Sequence, residues 1–268
     1  MSINLDSKAA IITGAANGVG LAIAKKFIDA GANVVLADMD EEQLSKEVSS
    51  LEKLNKKVIS FCGDLREKLT INNLLATTVD RFETIDILVN ASRQVLLCDP
   101  LNMEENTFNQ MMNQNVTVNL RISQAVANRM IKLNKRTEKK EIIGKIVNLS
   151  SIAAARSQKK MLSYSVSSAA LNQLTKSLAI ELAEKGITVN GVGIGSVMSA
   201  SLRDMTRKDL DLQELIIEST PLGRIGEAEE AAEAVLFLSS HHSNFITGQT
   251  ILVDGGRSLL DRIAKPAY

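Results

Sequence analysis

The sequence has few of the residues that cross-link small folds or bind metals. Its 268 residues include two cysteines, two histidines, two tyrosines, three prolines and no tryptophan. Cys62 and Cys98 are too few for a disulfide framework, and His241 and His242 have no further ligand residue at metal-binding spacing. We therefore expect reduced thiols, no metal site, and a fold that depends on its hydrophobic core.

The chain also lacks an excess of one charge and a long apolar run. Lysine plus arginine and aspartate plus glutamate each number 31, so no overall field favours nucleic acid or an anionic membrane. No apolar run reaches the roughly 18 residues of a transmembrane helix, and the first residues lack the pattern of a signal peptide. These absences predict a cytoplasmic protein with a small-molecule partner, and no nucleic-acid or membrane partner.

Short β-branched runs alternate with longer stretches of helical periodicity along the chain. The order AAIIT, GLAIAKKFIDAGA, NVVLAD, EEQLSKEVSSLEKL and KVISFCGD is a βαβαβ opening, and IDILVNAS, GKIVNLSS, ITVNGVG and QTILVDGG continue the series of strands. Strands that are apolar throughout are typical of parallel sheets covered on both faces. The pattern predicts a single α/β domain over residues 1–268, with a Rossmann-type doubly wound parallel sheet of about seven strands and helices on both faces.

One segment does not fit the alternation. Residues 132–143, KLNKRTEKKEII, are too polar to join the core. They have no interleaved aromatic residues, which argues against a nucleic-acid patch. We expect an exposed loop or the frayed end of a helix.

A glycine-rich turn, TGAANGVG, follows the first predicted strand. Gly14 permits the tight turn, Gly18 lets the backbone approach a pyrophosphate, and Gly20 allows close packing of helix and strand. Asp38 ends the second strand, where a carboxylate accepts hydrogen bonds from ribose hydroxyls and repels a 2′-phosphate. The next residues are Met39 and Asp40, with no arginine. Together these features predict dinucleotide binding, with NAD preferred over NADP.

The glycine spacing resembles that of the short-chain dehydrogenase/reductase family, whose pattern is T-G-x-x-x-G-x-G. Further matches follow in order across nearly the whole chain: GDL with Asp64, VNAS close to the family's N-N-A-G, Asn115, NLSS ending at Ser151, Tyr164, GITVNGVGIG and FITGQTILVDGG. The chain is most similar to the classical type and to its 3-oxoacyl-[acyl-carrier-protein] reductase branch. The resemblance implies a homo-oligomer, either a tetramer or a dimer.

The resemblance also implies a catalytic site. In that family a hydride passes between nicotinamide C4 and a carbinol or carbonyl carbon while a proton moves on the oxygen. Tyr164 matches the family's acid/base, Ser151 the serine that hydrogen-bonds the same oxygen, and Asn115 the residue that anchors a water of the proton relay. The NAD-binding positions implied are Gly14, Asn17, Gly18, Val19, Gly20, Asp38, Met39, Asp64, Leu65, Asn90, Ala91, Tyr164, Val197 and Ser199.

One family position departs from the pattern. The family has lysine in Y-x-x-x-K, one helical turn after the tyrosine, whereas Ser168 stands there in this chain. That lysine binds the nicotinamide ribose and favours the ionised tyrosine; a tyrosine with an ordinary pKa of about 10 is ionised to only about one part in a thousand at neutral pH. Lys159 and Lys160 are either substitute cations or solvated loop residues. Lesser departures, all on the nicotinamide side, are Ser92, Ile194 and Ser199.

Functions from different classes are consistent with this pattern. The first is an NAD(H)-dependent oxidoreductase that interconverts a secondary alcohol and a ketone, 3-oxoacyl compounds included, with an atypical site that lacks the lysine. The second is an NAD-binding pseudoenzyme, in which the dinucleotide stabilises an oligomeric scaffold without turnover. Lysine-independent elimination or isomerisation on the same fold is a third.

Overall fold

The computed structural model describes residues 3–52, 57–102, 104–134 and 141–261. Strands and helices alternate along them, as the apolar periodicity predicts. The strands are β1 (Ala9–Thr13), β2 (Asn33–Asp38), β3 (Val58–Cys62), β4 (Ile87–Asn90), β5 (Gly144–Ser151), β6 (Ile187–Ile194) and β7 (Thr250–Val253).

The helices connect successive strands and pack on the sheet. They are α1 (Gly18–Asp29), α2 (Glu41–Glu52), α3 (Lys68–Phe82), α4 (Thr107–Met112), α5 (Val118–Leu133), α6 (Leu162–Ala183), α7 (Ala200–Lys208), α8 (Leu210–Glu218) and α9 (Ala228–Ser239). A single π-helical turn, Asn113–Thr117, joins α4 to α5. The sequence pattern makes no prediction for residues 200–218, where the structure has α7 and α8.

All neighbouring strands of the sheet are parallel, in the order β3-β2-β1-β4-β5-β6-β7. The predicted doubly wound seven-stranded sheet is thereby confirmed. The order reverses between β1 and β4, where Thr13 pairs with Asn90. In open α/β sheets, ligands bind at the carboxyl ends of the strands beside such a reversal. The loops after β1 and β4 therefore position the candidate site.

Alternate side chains of the central strands enter separate cores on the two faces of the sheet. Ile12 and Leu36 belong to the core that includes residues of α1 and α9. Ile11 and Val35 belong to the core that includes residues of α3, α5 and α6. Since both faces are covered, the strands need no polar face, which explains why they are apolar throughout.

The charged segment 132–143 is only partly described. Helix α5 ends at Leu133, and β5 begins at Gly144. Residues 135–140 lie outside the described residues, so the predicted exposed loop stays a prediction. Across the described ranges, every helix is too short or too polar to cross a bilayer.

Candidate active site

The glycine-rich turn after β1 is packed too closely for side chains. Gly14 has φ +66°, and a Cβ there would lie 2.8 Å from the backbone of Ser92, the segment that follows β4. A Cβ at Gly20 would overlap the carbonyl oxygen of Gly14. Gly18 has φ +54°, in the left-handed region that favours glycine. The turn therefore brings the end of β1, the start of α1 and the segment after β4 into direct contact.

The first turn of α1 is open to an anion. It contains no acidic residue, and Asn17 at the N-cap makes no side-chain cap hydrogen bond. The first amides of a helix lack intrahelical partners and carry the positive end of its dipole. This arrangement, next to a turn with glycine at positions 14, 18 and 20, fits the pyrophosphate of a dinucleotide.

Asp38 at the end of β2 is linked to the glycine-rich turn. Its Oδ2 accepts a hydrogen bond from the Ala16 amide at 3.0 Å, and its Oδ1 accepts one from the Met39 amide at 2.7 Å. These bonds fix the carboxylate at the carboxyl edge of the sheet, beside the turn. Asp38 is the last residue of β2, as the sequence pattern predicts.

Asp64, which follows β3, is paired with a cation. Arg66 donates from Nε to both oxygens of the Asp64 carboxylate at 2.9 Å and from Nη2 to Oδ2 at 2.6 Å. These hydrogen bonds from Arg66 are the main reason that the pKa of Asp64 is lowered. Asp64, which the resemblance places among the cofactor-binding positions, is therefore engaged by its neighbour, and the charge of Arg66 is largely compensated.

The structure separates the predicted cofactor residues into two groups. The adenosine half, at the ends of β1, β2 and β3, comprises Gly14, Asn17, Gly18, Val19, Gly20, Asp38, Met39, Asp64 and Leu65. The nicotinamide half, at the ends of β4, β5 and β6, comprises Asn90, Ala91, Tyr164, Val197 and Ser199. Val19, Leu65 and Val197 have buried side chains in the hydrophobic cores, so only their backbones are free to meet a ligand.

Hydrogen bonds from both sides hold the segment after β4. The amides of Ala91 and Ser92 both donate to Thr13 Oγ at 3.1 Å. Asn90 is buried and donates from Nδ2 to Asn148 Oδ1 at 2.8 Å, which joins β4 to β5. The segment is thus fixed relative to both neighbouring strands.

Asn115 lies in the π-helical turn and fixes the next residues of that segment. Its Oδ1 accepts from the Gln94 amide at 2.9 Å, and its Nδ2 donates to the Gln94 carbonyl at 3.0 Å. The main-chain carbonyl of Asn115 accepts from Asn119 Nδ2 at 2.8 Å. π-Helical turns often occur at functional sites. Here the turn aims the Asn115 side chain at the loop.

Tyr164 lies in the first turn of α6 and is 5% exposed. Arg93 Nη1 donates a hydrogen bond to its hydroxyl oxygen at 3.0 Å. A guanidinium has donors and no acceptor, so the phenol oxygen accepts in this bond and its own proton stays free for another acceptor. The nicotinamide half therefore contains a buried hydroxyl next to a permanent positive charge.

Ser151 and Ser168 flank the tyrosine on β5 and α6. Ser151 Oγ accepts from the Ala153 amide at 3.1 Å, which leaves its hydroxyl proton available. Ser168 Oγ donates to the Tyr164 carbonyl at 2.8 Å, and Ser150 Oγ donates to the Ser168 carbonyl at 3.3 Å. A narrow cavity of about 10 Å³, which is room for about one water molecule, has Ser150, Tyr164 and Ser168 in its wall.

Sequence reasoning missed Arg93. Arg93 directly follows VNAS, and this place beside a family motif was the available signal in the sequence. Because Arg93 is not itself a motif position, it does not stand out as a departure from the family pattern. The cation at the tyrosine hydroxyl is Arg93, whereas Lys159 and Lys160 are exposed. Neither lysine side chain is recorded in a hydrogen bond to Tyr164 in the described structure.

Comparisons with known proteins agree with this architecture. Residues 14–258 match a family model described as enoyl-(acyl carrier protein) reductase. The chain is 32% identical over 257 residues to a 3-oxoacyl-[acyl-carrier-protein] reductase of Thermotoga maritima, covering 95% of this chain and 99% of that protein.

Solved structures show the same fold. A 7α-hydroxysteroid dehydrogenase complexed with NADH and 7-oxo glycochenodeoxycholic acid is 30% identical, with a TM-score of 0.86 and coverage of 94% of this chain and 95% of that one. A gluconate 5-dehydrogenase of Burkholderia cenocepacia with NADP and tartrate is 28% identical, with a TM-score of 0.86 and coverage of 96% and 98%. By its sheet order, its glycine-rich turn and these matches over nearly its whole length, the chain belongs to the short-chain dehydrogenase/reductase family of oxidoreductases.

Proposed function

We propose that this chain is an NAD(H)-dependent oxidoreductase that interconverts a secondary alcohol and a ketone. The observation that carries the proposal is the buried Tyr164 hydroxyl, which accepts from Arg93 at 3.0 Å and keeps its own proton for a further acceptor. Proton transfer to a developing alkoxide needs such a donor. The tyrosine lies at the carboxyl edge of the sheet, where the glycine-rich turn also lies.

The nicotinamide cofactor supplies or accepts the hydride when it is bound. This chain's own residues bind its pyrophosphate and ribose and move the proton. Tyr164 gives its proton to the carbonyl oxygen during reduction and takes it back during oxidation. Ser151, whose Oγ is oriented by the Ala153 amide, donates a hydrogen bond to the same substrate oxygen and keeps its proton.

The charges around the adenosine half support NAD rather than NADP. Asp38 is a carboxylate at the ribose position, and a 2′-phosphate there meets repulsion. Desolvation, followed by the negative charges of Glu41 and Asp38, raises the pKa of the nearby Cys62 thiol, which indicates a locally negative field. Arg66 is engaged by Asp64 and so offers little net charge to a phosphate.

The relatives support a ketone or a secondary alcohol as the substrate and differ in the molecule that carries it. The Thermotoga maritima relative is a 3-oxoacyl-[acyl-carrier-protein] reductase, and the structural neighbours act on a hydroxysteroid and on gluconate. We include 3-oxoacyl thioesters among the substrates to be tried. The direction of the reaction follows from the supply of each cofactor form, because a catalyst accelerates both directions.

The second candidate is an NAD-binding protein without turnover. It is favoured by Ser168, which stands where the family pattern has lysine and whose hydroxyl bonds to the Tyr164 carbonyl. In that case the cofactor stabilises an oligomer through mass action on the folded state.

NADH consumption against a panel of small ketones, sugar acids, steroids and 3-oxoacyl thioesters tests the enzyme. We expect turnover with at least one class, and a raised melting temperature with NAD⁺. NAD⁺ stabilisation together with no turnover on the whole panel would establish the second candidate instead. Loss of both would show that the glycine-rich turn and Asp38 do not form a cofactor site.

We further propose that residues 1–268 form a single cytoplasmic domain that assembles as a tetramer or dimer. Exposed apolar side chains support an interface: Val166 and Ile180 on α6, and Phe245 and Leu252 near or on β7. Light scattering of the full chain tests the assembly, and a monomer at micromolar concentration contradicts it. A Val166→Glu variant that dissociates would assign the α6 surface.

A further inference from the structure

Arg93 and Tyr164 are 71 residues apart in the chain and meet only in the folded structure. Arg93 lies in the loop after β4, and Tyr164 lies in the first turn of α6. Arginine stays protonated at every pH at which proteins fold, so the contact brings a permanent positive charge to the reacting oxygen. The sequence motifs of the family assign no role to this residue.

We propose that Arg93 is a catalytic residue that stabilises the phenolate form of Tyr164, and so does the electrostatic work that the family pattern assigns to lysine. The inference rests on the proposed function, in which Tyr164 exchanges a proton with the substrate oxygen. It concerns only the protonation equilibrium of the Tyr164 side chain, and this equilibrium can be measured without turnover.

The loop that carries Arg93 is held on both sides of that residue. On one side, the Ser92 amide donates to Thr13 Oγ at 3.1 Å. On the other side, Gln94 exchanges two backbone hydrogen bonds with the Asn115 side chain, at 2.9 and 3.0 Å. Because the loop backbone is already ordered, the contact between the guanidinium and its partner costs only the entropy of the arginine side chain. Asn115 therefore acts as a positioning residue for Arg93.

Burial and charge act on Tyr164 in opposite directions. The side chain is 5% exposed, and desolvation disfavours a phenolate. A cation within hydrogen-bond distance favours it. Arg93 is itself exposed on its outer side, so solvent screens part of its charge. We accordingly expect Arg93 to stabilise the phenolate form of Tyr164 by an amount at the lower end of the range for ion pairs.

Ser168 does not supply this charge, and the space beside it is small. Its hydroxyl is used by the Tyr164 carbonyl, at 2.8 Å. The cavity that Ser168, Tyr164, Arg93, Asn115 and Asn119 line holds about 10 Å³. This space accepts about one water molecule and not a lysine side chain. The site is therefore packed around a cation that enters from the β4 loop instead of from α6.

The composition of the chain makes a direct test available. It has two tyrosines, Tyr164 and Tyr268, and no tryptophan, so Tyr268→Phe leaves Tyr164 as the single tyrosine. Tyrosinate absorbance in the near ultraviolet then reports Tyr164 alone. The ligand-free full chain is titrated toward alkaline pH, with far-ultraviolet circular dichroism as the check that it is folded. Stopped-flow pH jumps read the absorbance before any slow alkaline unfolding.

In this background, Arg93→Met should raise the midpoint of the tyrosinate titration by about 1 pH unit, because the variant loses the cation and keeps the burial. Arg93→Lys should keep most of the effect. The matched control is Arg121→Met, which removes another exposed arginine, on α5, whose Nη1 donates to the Arg66 carbonyl at 3.3 Å. Its midpoint should equal that of the Tyr268→Phe chain.

An unchanged midpoint in folded Arg93→Met overturns the proposal. So does a variant in which only KM for anionic substrates rises, since the guanidinium would then bind substrate instead of tuning the tyrosine. A shifted midpoint in a chain that turns over nothing supports the Arg93–Tyr164 coupling and refutes the oxidoreductase. The two proposals therefore fail in distinguishable ways.

Discussion

The adenosine half and the nicotinamide half of the site are built in different ways. The predicted adenosine half depends on the backbone: Gly14 and Gly20 leave no room for a Cβ in the turn, and the backbone amides of Ala16 and Met39 hold Asp38. The nicotinamide half depends on side chains that meet across the fold, with Arg93 and Tyr164 separated by 71 residues. Few residue types allow two backbone segments to approach so closely, whereas a positively charged side chain can reach the same point from several positions in the chain. The half in which a cation meets the tyrosine therefore depends on the packing of distant segments.

The largest expected effect concerns Tyr164. Tyr164→Phe removes the proton donor and keeps the ring, so turnover should fall by about 10²–10⁴-fold, whereas NAD⁺ affinity should fall far less because the glycine-rich turn and Asp38 are unchanged. NADH consumption and calorimetry measure the two quantities. If Tyr164→Phe retained its turnover, another residue would be the proton donor. The comparison of the two halves, which depends on Tyr164 as that donor, would then be wrong.

The next prediction separates the effect of alkaline pH on the stability of the fold from its effect on the candidate active site. Lys145 is the second residue of β5, near the opposite end of the strand from Ser151, and burial lowers its pKa to about 8 from 10.5. Between these pH values the unfolded chain holds this proton and the folded chain does not, so this group makes stability rise with pH.

Relative to Lys145→Met, the free energy of unfolding of the parent chain should therefore increase by about 3 kcal/mol between pH 8 and pH 10.5. Urea unfolding at successive pH values measures the difference. A constant difference would show that Lys145 is hydrated when folded. Any alkaline activity profile that survives in Lys145→Met belongs to the site.

The adenosine half should respond to a change of charge at the ribose. Asp38→Ala removes the repulsion of a 2′-phosphate and an acceptor for ribose hydroxyls. The ratio of NAD⁺ to NADP⁺ affinity should fall by about ten- to a hundredfold, measured by calorimetry. Glu42→Ala, which removes an exposed carboxylate of α2 paired with Lys46, should change the ratio much less. Equal ratios in the two variants would contradict the assignment of Asp38.

The smallest effect is expected from restoring the family's lysine. Ser168→Lys forces a long side chain into a cavity of about 10 Å³ and should cost about 1 kcal/mol or more of stability. It should not raise turnover, because Arg93 already provides the positive charge at Tyr164. Melting temperature and NADH consumption measure the two effects. A gain in rate would show that Arg93 does not replace the lysine.

Much of the fold was predictable from local pattern. The strands β1, β2 and β5 coincide with AAIIT, NVVLAD and GKIVNLSS, because a strand buried on both faces must be apolar along its length. Helices α7 and α8 had no such prediction. They follow β6 in the chain and pack against each other.

For the site, the sequence by itself determined the glycine-rich turn, the carboxylate at the end of β2, and the placement of Ser151 and Tyr164 near one edge of the sheet. Each of these follows from residues close together in the chain, through backbone conformation or strand order. Only the tertiary structure decided which cation meets the tyrosine. Lys159 and Lys160 are near Tyr164 in sequence and point to solvent, whereas the pairing of β4 with β5 and the Asn115 hydrogen bonds to Gln94 direct Arg93 to the hydroxyl. A contact between distant residues depends on the packing of whole elements, which no local pattern encodes.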